Sequence, residues 1–255
     1  KGFELQVDAY ASTRPSYPQQ AVEDGIRLAL KHASSSSPRL VDLACGTGIF
    51  TNLLVEHAPP SAKVFAVEPS KAMREHCQSK LFSRLAEPVF DASAQQLPFD
   101  THSIDAVFVA QAFHWFDTIE VLKEIHRVLK PGGGLVLIWN LEHFNDESCW
   151  IKQMRDAYER YDEDIPQYRK GDWRRVFDQE DAHNLFRTPL FSKYYQWEMP
   201  TTLEQCWTRI VSKSYIACLS QQERQQLHSQ IEQILKPIFS QKSIESLTFQ
   251  TELAY

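Results

Sequence analysis

The stretch Arg39-Leu-Val-Asp-Leu-Ala-Cys-Gly-Thr-Gly48 decides the fold of this chain. Its apolar run around Val41 is typical of a short strand that is buried on both faces. Gly46-Thr-Gly48 predicts a tight turn, and the apolar spacing from Ile49 to Leu54 predicts a helix that begins there. A strand, a glycine turn and a helix together present backbone N–H groups and a helix N-terminus to a ligand. The stretch therefore predicts a ligand-binding turn in an α/β sheet.

The next unit, Lys63-Val-Phe-Ala-Val-Glu68, predicts a second strand that ends in a carboxylate. Doubly wound folds place at this point the acceptor for the two ribose hydroxyls of a nucleoside. A dinucleotide site would have a third glycine where this chain has Thr51, and the Asp42 carboxylate would repel a pyrophosphate. A nucleoside that carries an ammonium and a sulfonium, and no phosphate, fits both residues.

The pattern Asp42-x-Ala44-x-Gly46-x-Gly48, followed by Glu68, resembles the first two motifs of class I S-adenosylmethionine-dependent methyltransferases. Many members have a glycine in place of Ala44, and the type-11 branch, which includes methyltransferases of trans-aconitate and ubiquinone, commonly accepts alanine. The resemblance implies an α/β fold class with a doubly wound, Rossmann-like, seven-stranded and mostly parallel sheet and helical cap insertions. It implies S-adenosyl-L-methionine as the cofactor, bound by Asp42, Ala44, Gly46, Gly48, Glu68 and Pro69.

Val89-Phe-Asp-Ala92 predicts a third short strand, and 95–100 predicts a loop before the buried strand 104–109. This run resembles the Asp-Ala and Leu-Pro-Phe signature of the type-11 branch. The resemblance implies that the Asp91 carboxylate accepts a hydrogen bond from the adenine amino group and that the Ala92 backbone contacts the ring. The alternative for Asp91 is a strand-end cap that accepts from loop N–H groups.

Ala110-Gln-Ala-Phe-His-Trp-Phe116 follows that strand directly, at the edge where open α/β sheets bind ligands. The resemblance implies that the Gln111 backbone approaches the methionine part of the cofactor. It also implies that His114 and Trp115 face the acceptor. His114 is a candidate general base, although a histidine beside two aromatic residues is more often a packing or hydrogen-bonding residue. Trp115 is a candidate for the wall of the substrate or cofactor pocket.

The whole chain predicts one methyltransferase domain, in which residues 1–37 form a lid and 38–140 form the cofactor-binding core. Residues 141–189 and 200–238 are predicted cap insertions. Arg14 and Tyr17 lie in a segment that is similar to the lid of small-molecule methyltransferases, although Tyr17 could equally pack on the sheet edge. Trp207 and Arg209 lie on a predicted cap helix and, with Arg14, Tyr17 and Trp115, are the candidate substrate residues.

Periodicity places the remaining elements. Helices are predicted over 19–32, 49–56, 70–81, 119–129, 149–161, 203–219 and 221–238, and strands over 135–139, 190–199 and 244–255. Ser70 is the predicted N-cap of its helix. Lys130-Pro-Gly-Gly-Gly134 ends a helix before a strand, and its glycines are expected to be structural.

Composition limits the class of protein. The 255 residues carry a net charge of −6, with 43% hydrophobic and 24% charged residues, which disfavours nonspecific binding to nucleic acid or anionic membranes. Five scattered cysteines without a Cys-x-x-Cys favour free thiols over disulfides or a metal site. We found no secretory signal and no span long enough for a bilayer, so we expect a cytoplasmic protein. The first residue is Lys1 instead of Met, so it is not taken as the true N-terminus.

The resulting hypothesis is S-adenosylmethionine-dependent methyl transfer to a small molecule, with a carboxylate as the candidate acceptor. Arg14 or Arg209 would then pair the carboxylate. The basic run 169–175 is interpreted as a solvated face. A non-catalytic partner or sensor that binds the same cofactor stays open as an alternative. A nicotinamide oxidoreductase fits less well because of Asp42, and a nucleic-acid methyltransferase fits less well because the chain is acidic.

Overall fold

The structure is a computed structural model, and it describes residues 14–146, 149–240 and 243–255. The strands are β1 Arg39–Leu43, β2 Lys63–Val67, β3 Ile104–Ala110, β4 Leu129–Glu142, β5 Ser192–Thr201 and β6 Glu245–Ala254. The helices are α1 Gln19–Ala29, α2 Ile49–His57, α3 Lys71–Leu81, α4 Ile119–Val128, α5 Trp150–Glu159, α6 Glu180–Leu185, α7 Leu203–Val211, α8 Ser214–Ala217 and α9 Gln221–Phe239. Short 3-10 helices cover Phe113–Trp115, Arg160–Asp162, Tyr168–Lys170 and Asp172–Asp178.

The strands form one six-stranded sheet in the order β2-β1-β3-β4-β6-β5. β1 pairs in parallel with β2 and with β3, so that Leu40 lies between Val64 and Ala106, and β3 pairs in parallel with β4. Phe191 and Tyr255 exchange both backbone hydrogen bonds, which continues the sheet in the antiparallel sense at β5 and β6. The predicted α/β class and the mostly parallel sheet are confirmed.

Both faces of the sheet are covered by apolar packing. Val41 and Val107 enter one buried cluster, which includes side chains of α4, whereas Leu40 and Ala106 enter a second cluster with α1 and α2. Successive residues of a strand point to opposite faces, so this alternation identifies helices on both sides of the sheet. The doubly wound arrangement follows from it.

The prediction of seven strands is wrong by one, because the segment 89–92 makes a single bridge to β2. Phe90 N–H donates to Ala66 O (2.9 Å), and its carbonyl accepts from Glu68 N–H (3.0 Å). A longer parallel ladder would need an N–H at Pro88, which has none. Towards the other end, the Glu68 carbonyl accepts from the side chain of Arg74. The pairing therefore stops at one residue.

The predicted helix over 203–219 is also interrupted. α7 ends at Val211, and α8 begins at Ser214 with Lys213 as its N-cap residue. The interruption leaves Lys213 in extended backbone between the two helices.

The chain divides into two compact units. The sheet unit comprises residues 16–139, 166–195 and 251–255; the helical unit comprises 1–15, 140–165 and 196–250. Within the helical unit, side chains of α5, α7 and α9 pack around Leu247 and Phe249 of β6. The predicted lid, core and cap boundaries stay a prediction, and residues 1–13 of the lid lie outside the described residues.

At Gly134, the backbone of β4 lies directly against the backbone of α1. A Cβ at this position would lie 2.5 Å from the Cα of Ala29 and 2.7 Å from its carbonyl oxygen. Both are backbone atoms, so the helix would have to move away from the strand. This close approach of β4 and α1 explains why the residue is a glycine, as the sequence analysis expects.

We expect Gly134→Ala to lower the free energy of unfolding by about 1–3 kcal/mol, the range for overpacking a close contact. Gly25→Ala is the matched control, because a Cβ on Gly25 would meet the end of the Leu253 side chain at 3.2 Å, which can adjust. Gly25 also lies inside α1, where alanine is the better helix former. Urea denaturation of both variants checks this; equal losses would show that the backbone approach is not the cause.

Candidate functional site

The glycine turn between β1 and α2 contains three left-handed residues. The φ angles are +58° at Ala44, +56° at Gly46 and +84° at Gly48. A Cβ on Gly48 would lie 2.7 Å from the Cys77 sulfur, so both space and backbone conformation call for glycine there. Alanine in the left-handed region costs about 1–2 kcal/mol, which is the strain that Ala44 carries. The turn is therefore built as the sequence predicts.

Glu68 ties this turn to the start of α3. One carboxylate oxygen accepts from Gly46 N–H (2.9 Å) and the other accepts from Ser70 N–H (2.8 Å). Burial raises the pKa of Glu68, because only 6% of the residue is exposed. Each oxygen keeps a second lone pair, which a hydroxyl of a ligand can use. Ser70 is the N-cap residue of α3 as predicted, although its side chain makes no cap hydrogen bond.

Asp42 is completely buried in β1 beneath the turn. One oxygen accepts from the Thr51 hydroxyl (2.6 Å), so the residue that replaces the third glycine has a role of its own. The other oxygen, Oδ1, has no hydrogen-bond partner among the described residues. Desolvation raises the pKa of Asp42 to about 7. A buried carboxylate oxygen with an unused lone pair fits a cationic or hydrogen-bonding ligand.

Arg74 holds Asp91 at the end of β2, and the sequence analysis missed this arginine. Its guanidinium donates to the carbonyls of Glu68 (2.8 Å) and Pro69 (3.1 Å), and to the Asp91 carboxylate (2.8 Å). The Asp91 side chain is 69% exposed and can still accept from a ligand. Ala92 beside it is partly buried against the sheet core. The sequence did contain a signal for this role, because Arg74 lies one turn into the helix that follows the strand leading to Glu68.

The loop after β3 carries the histidine and two further predicted residues. Gln111 has a φ of +58° and donates its N–H to the Ile138 carbonyl (2.8 Å). His114 and Trp115 lie on a 3-10 helix with ring centroids 5.3 Å apart, and Trp115 is 41% exposed. The exposed indole is available to a ligand, whereas the imidazole is buried.

A hydrogen bond from Trp139 sets the tautomer of His114. The indole N–H of Trp139 can only donate, and it lies 3.4 Å from Nδ1 of His114. Burial lowers the pKa of His114 to about 4, so the ring is neutral near pH 7. A neutral imidazole that accepts at Nδ1 carries its proton at Nε2. Trp139 itself packs against Tyr168 and Trp173, whose ring centroids lie 4.9 and 4.2 Å away.

The predicted substrate residues belong to different units. In the sheet unit, Tyr17 is buried edge-on against Phe50, with centroids 5.2 Å apart. In the helical unit, Arg14 donates to the Ser212 carbonyl (3.4 Å) and Trp207 packs edge-on against a histidine of α9. Arg209 is buried in an ion pair with Glu142. Their roles at a substrate stay predictions.

None of the described helices is both long and apolar enough to cross a membrane. Within the described ranges, no group of three or more histidine, cysteine, aspartate or glutamate side chains could hold a metal ion.

Comparison with known proteins gives consistent matches. Residues 41–137 match the type-11 methyltransferase domain. An uncharacterized methyltransferase-like protein of Schizosaccharomyces pombe is 30% identical over 241 residues, which cover 93% of this chain and 87% of that protein. The demethylmenaquinone methyltransferase of Lactococcus lactis is 39% identical over 102 residues, 39% of this chain and 40% of that enzyme.

Among solved structures, a protein of Anaeromyxobacter dehalogenans assigned as a type II methyltransferase has a TM-score of 0.61 at 19% identity. The match covers 94% of this chain and 95% of that one, and it shows the same fold.

Asp42→Asn should change how stability depends on pH. The folded protein keeps a proton on Asp42 up to about pH 7, whereas the unfolded chain releases it near pH 3.8. Between these two pKa values the folded protein binds one proton more than the unfolded chain. The free energy of unfolding is therefore highest, as far as Asp42 is concerned, below about pH 4. It falls as the pH rises to about 7, by at most about 1.4 kcal/mol per pH unit.

The stability of Asp42→Asn relative to wild type should rise from pH 5 to 7 and level off above it, as measured by urea denaturation. Asp178→Asn, at an exposed carboxylate, is the control for the removal of one acidic group. A difference between Asp42→Asn and wild type that does not change with pH would contradict the raised pKa.

Proposed function

Because this chain belongs to the class I S-adenosylmethionine-dependent methyltransferases of type 11, we propose that it transfers a methyl group to a small molecule that carries a carboxylate. The cofactor is S-adenosyl-L-methionine. The observation that supports the site is the pair of buried carboxylates, Asp42 and Glu68, at the ends of two neighbouring parallel strands. The support for an anionic acceptor is the basic Arg14 in the helical unit; Arg209 stays a candidate, with its charge paired to Glu142 in this structure.

The residues around the glycine turn fit this cofactor. Glu68 would accept from the ribose hydroxyls, and Asp91, held by Arg74, would accept from the adenine amino group. The unpartnered oxygen of Asp42 suits a ligand with positive charge and no phosphate. Backbone groups complete the proposed site at Ala44, Gly46, Gly48, Pro69, Ala92 and Gln111.

When bound, S-adenosylmethionine supplies a methyl group on a sulfonium; an acceptor oxygen bonds to the methyl carbon as the carbon–sulfur bond breaks and its electron pair stays on sulfur. A carboxylate is already ionised near neutral pH, so no side chain has to remove a proton from it. The residues of the chain have to orient the acceptor and exclude water. The Tyr17, Trp115 and Trp207 side chains are proposed to contribute to this.

His114 has a different proposed role for a carboxylate acceptor than for a phenol or amine. Its Nδ1 accepts from Trp139, so Nε2–H is available as a hydrogen-bond donor. A donor can orient a carboxylate. A phenol or amine would instead need a general base, and His114 would have to give up the bond from Trp139 to act as one.

We expect Glu68→Gln to weaken S-adenosylmethionine binding roughly 10- to 100-fold, about 1.5–3 kcal/mol, because a charged acceptor for the ribose hydroxyls is lost. Glutamine keeps the size of the side chain and one carbonyl oxygen for the loop. Glu75→Gln, on the exposed side of α3, is the control and should bind like wild type. Calorimetry with the cofactor measures both; unchanged affinity for Glu68→Gln with an intact fold would remove Glu68 from the site.

The acceptor class is tested with methyl-labelled S-adenosylmethionine and a panel of small carboxylic acids, their amides, phenols and amines. We expect label in a base-labile methyl ester of an acid and no label in the matching amide. His114→Gln should keep most of this turnover, since glutamine also donates a hydrogen bond. Label in phenols or amines alone, with a roughly 10²- to 10⁴-fold loss for His114→Gln, would contradict a carboxylate acceptor and make His114 the base.

A further inference from the structure

A cavity of about 400 Å³ lies within the sheet unit, and all the residues that line it belong to that unit. Gly134 lines the cavity and pairs with Ala106 of β3, which in turn pairs with Leu40 near the beginning of β1. The glycine turn follows the other end of β1, after Leu43. The cavity therefore lies towards the amino ends of the parallel strands, at the edge of the sheet opposite to the glycine turn.

The wall of this cavity is mainly apolar. Leu28 packs with the apolar cluster on the α1 side of the sheet, whereas Phe186 and Leu190 pack with the cluster on the other side. The glycines 132–134 line the same space without side chains that could fill it. Phe191 also lines the cavity, and its ring is exposed. A concave apolar surface of this kind favours a ligand with an apolar body.

Basic side chains line the cavity together with this apolar wall. They are Lys31, His32 and Arg187, and no aspartate or glutamate is among the described residues that line it. In the part of the chain that the structure describes, none of the three side chains forms an ion pair or a hydrogen bond. The Arg187 guanidinium lies over the Phe191 ring, 5.9 Å from the centroid, so its charge is held beside the apolar wall. This combination is complementary to a molecule with an apolar body and an anionic head.

We propose that this cavity binds an amphipathic carboxylate of the fatty-acid type, with its chain against Leu28, Leu190 and Phe191 and its carboxylate at Arg187. The volume lies in the range of roughly 300–1,000 Å³ that is typical of small-molecule pockets, and near its lower end, which suits a chain of medium length. This inference goes beyond the proposed function, because no residue of the proposed cofactor site or acceptor site lines the cavity.

Calorimetry with octanoate, octanol and acetate tests the chemical class of the ligand. Octanoate should bind at least fivefold more tightly than octanol, which lacks the charge, and than acetate, which lacks the chain. The octanoate affinity should be the same without cofactor and with saturating S-adenosylhomocysteine, because the cavity and the glycine turn lie at opposite edges of the sheet. S-adenosylhomocysteine has no methyl group to transfer, so no reaction adds to the measured heat.

Two variants test where octanoate binds. Arg187→Gln should weaken octanoate binding roughly threefold to tenfold and leave octanol binding unchanged, because only the partner of the carboxylate is removed. Its control is Arg175→Gln, at an exposed arginine of the same unit that does not line the cavity. Phe191→Ala should weaken octanoate and octanol alike, because it removes part of the apolar wall. Its control is Phe82→Ala, at an exposed phenylalanine elsewhere in the sheet unit. Both controls should bind octanoate like wild type.

The inference is overturned if octanoate does not bind, or if its affinity is unchanged in both Arg187→Gln and Phe191→Ala, since octanoate would then occupy another site such as that of the acceptor. Displacement of octanoate by S-adenosylhomocysteine would place it at the cofactor site and contradict the proposal as well. Equal affinity for octanol and octanoate would overturn the carboxylate assignment. None of these measurements uses methyl transfer, so their failure is distinct from a failure of the labelled-methyl assay, which tests the proposed function.

Discussion

The bridge that Glu68 makes between two loops is the interaction on which the functional edge of the sheet depends. Parallel pairing of β1 with β2 brings two strand ends together but leaves the glycine turn and the start of α3 as separate loops. One Glu68 oxygen binds Gly46 N–H and the other binds Ser70 N–H, so a single carboxylate sets the spacing of the loops. Because each oxygen keeps a lone pair, the bridge can also accept hydrogen bonds from a ligand, and we propose that the ribose hydroxyls of the cofactor bind there.

The same edge buries a carboxyl group that its neighbours do not fully satisfy. Asp42 has one oxygen without a partner among the described residues, and the nearby Glu68 contributes to its raised pKa. Burial of an unsatisfied carboxylate lowers the stability of the folded chain, and groups with perturbed pKa values cluster at functional sites. A methyl donor with a sulfonium and an ammonium would favour the ionised form of Asp42. Function and stability therefore place opposite demands on Asp42.

The helical unit also buries charge, but here a carboxylate and cations are paired. Glu142 forms an ion pair with Arg209, lies 3.7 Å from the Lys213 ammonium and accepts from the Tyr158 hydroxyl. Burial of a charged group lowers stability unless opposite charges and hydrogen bonds satisfy it, so this cluster is stabilised by its own side chains.

Local patterns in the sequence were enough to predict the glycine turn, the strand that ends at Glu68 and the α/β class. These features depend on spacing over a few residues: apolar runs, glycines at left-handed positions and a carboxylate at a strand end. The same patterns predicted a full strand around Phe90, where the structure has a single bridge. The missing N–H of Pro88 and the side chain of Arg74 limit the pairing there.

The partners of individual side chains were decided by tertiary structure alone. The bond from Trp139 to His114 and the pairing of Arg209 with Glu142 join residues from distant parts of the chain. No short-range pattern encodes which donor reaches which acceptor across such separations, because that choice depends on how the elements pack. The sequence by itself determined where the glycine turn lies, whereas the tautomer of His114 and the buried ion pair of Arg209 with Glu142 exist only in the folded chain, where burial removes water as the alternative partner.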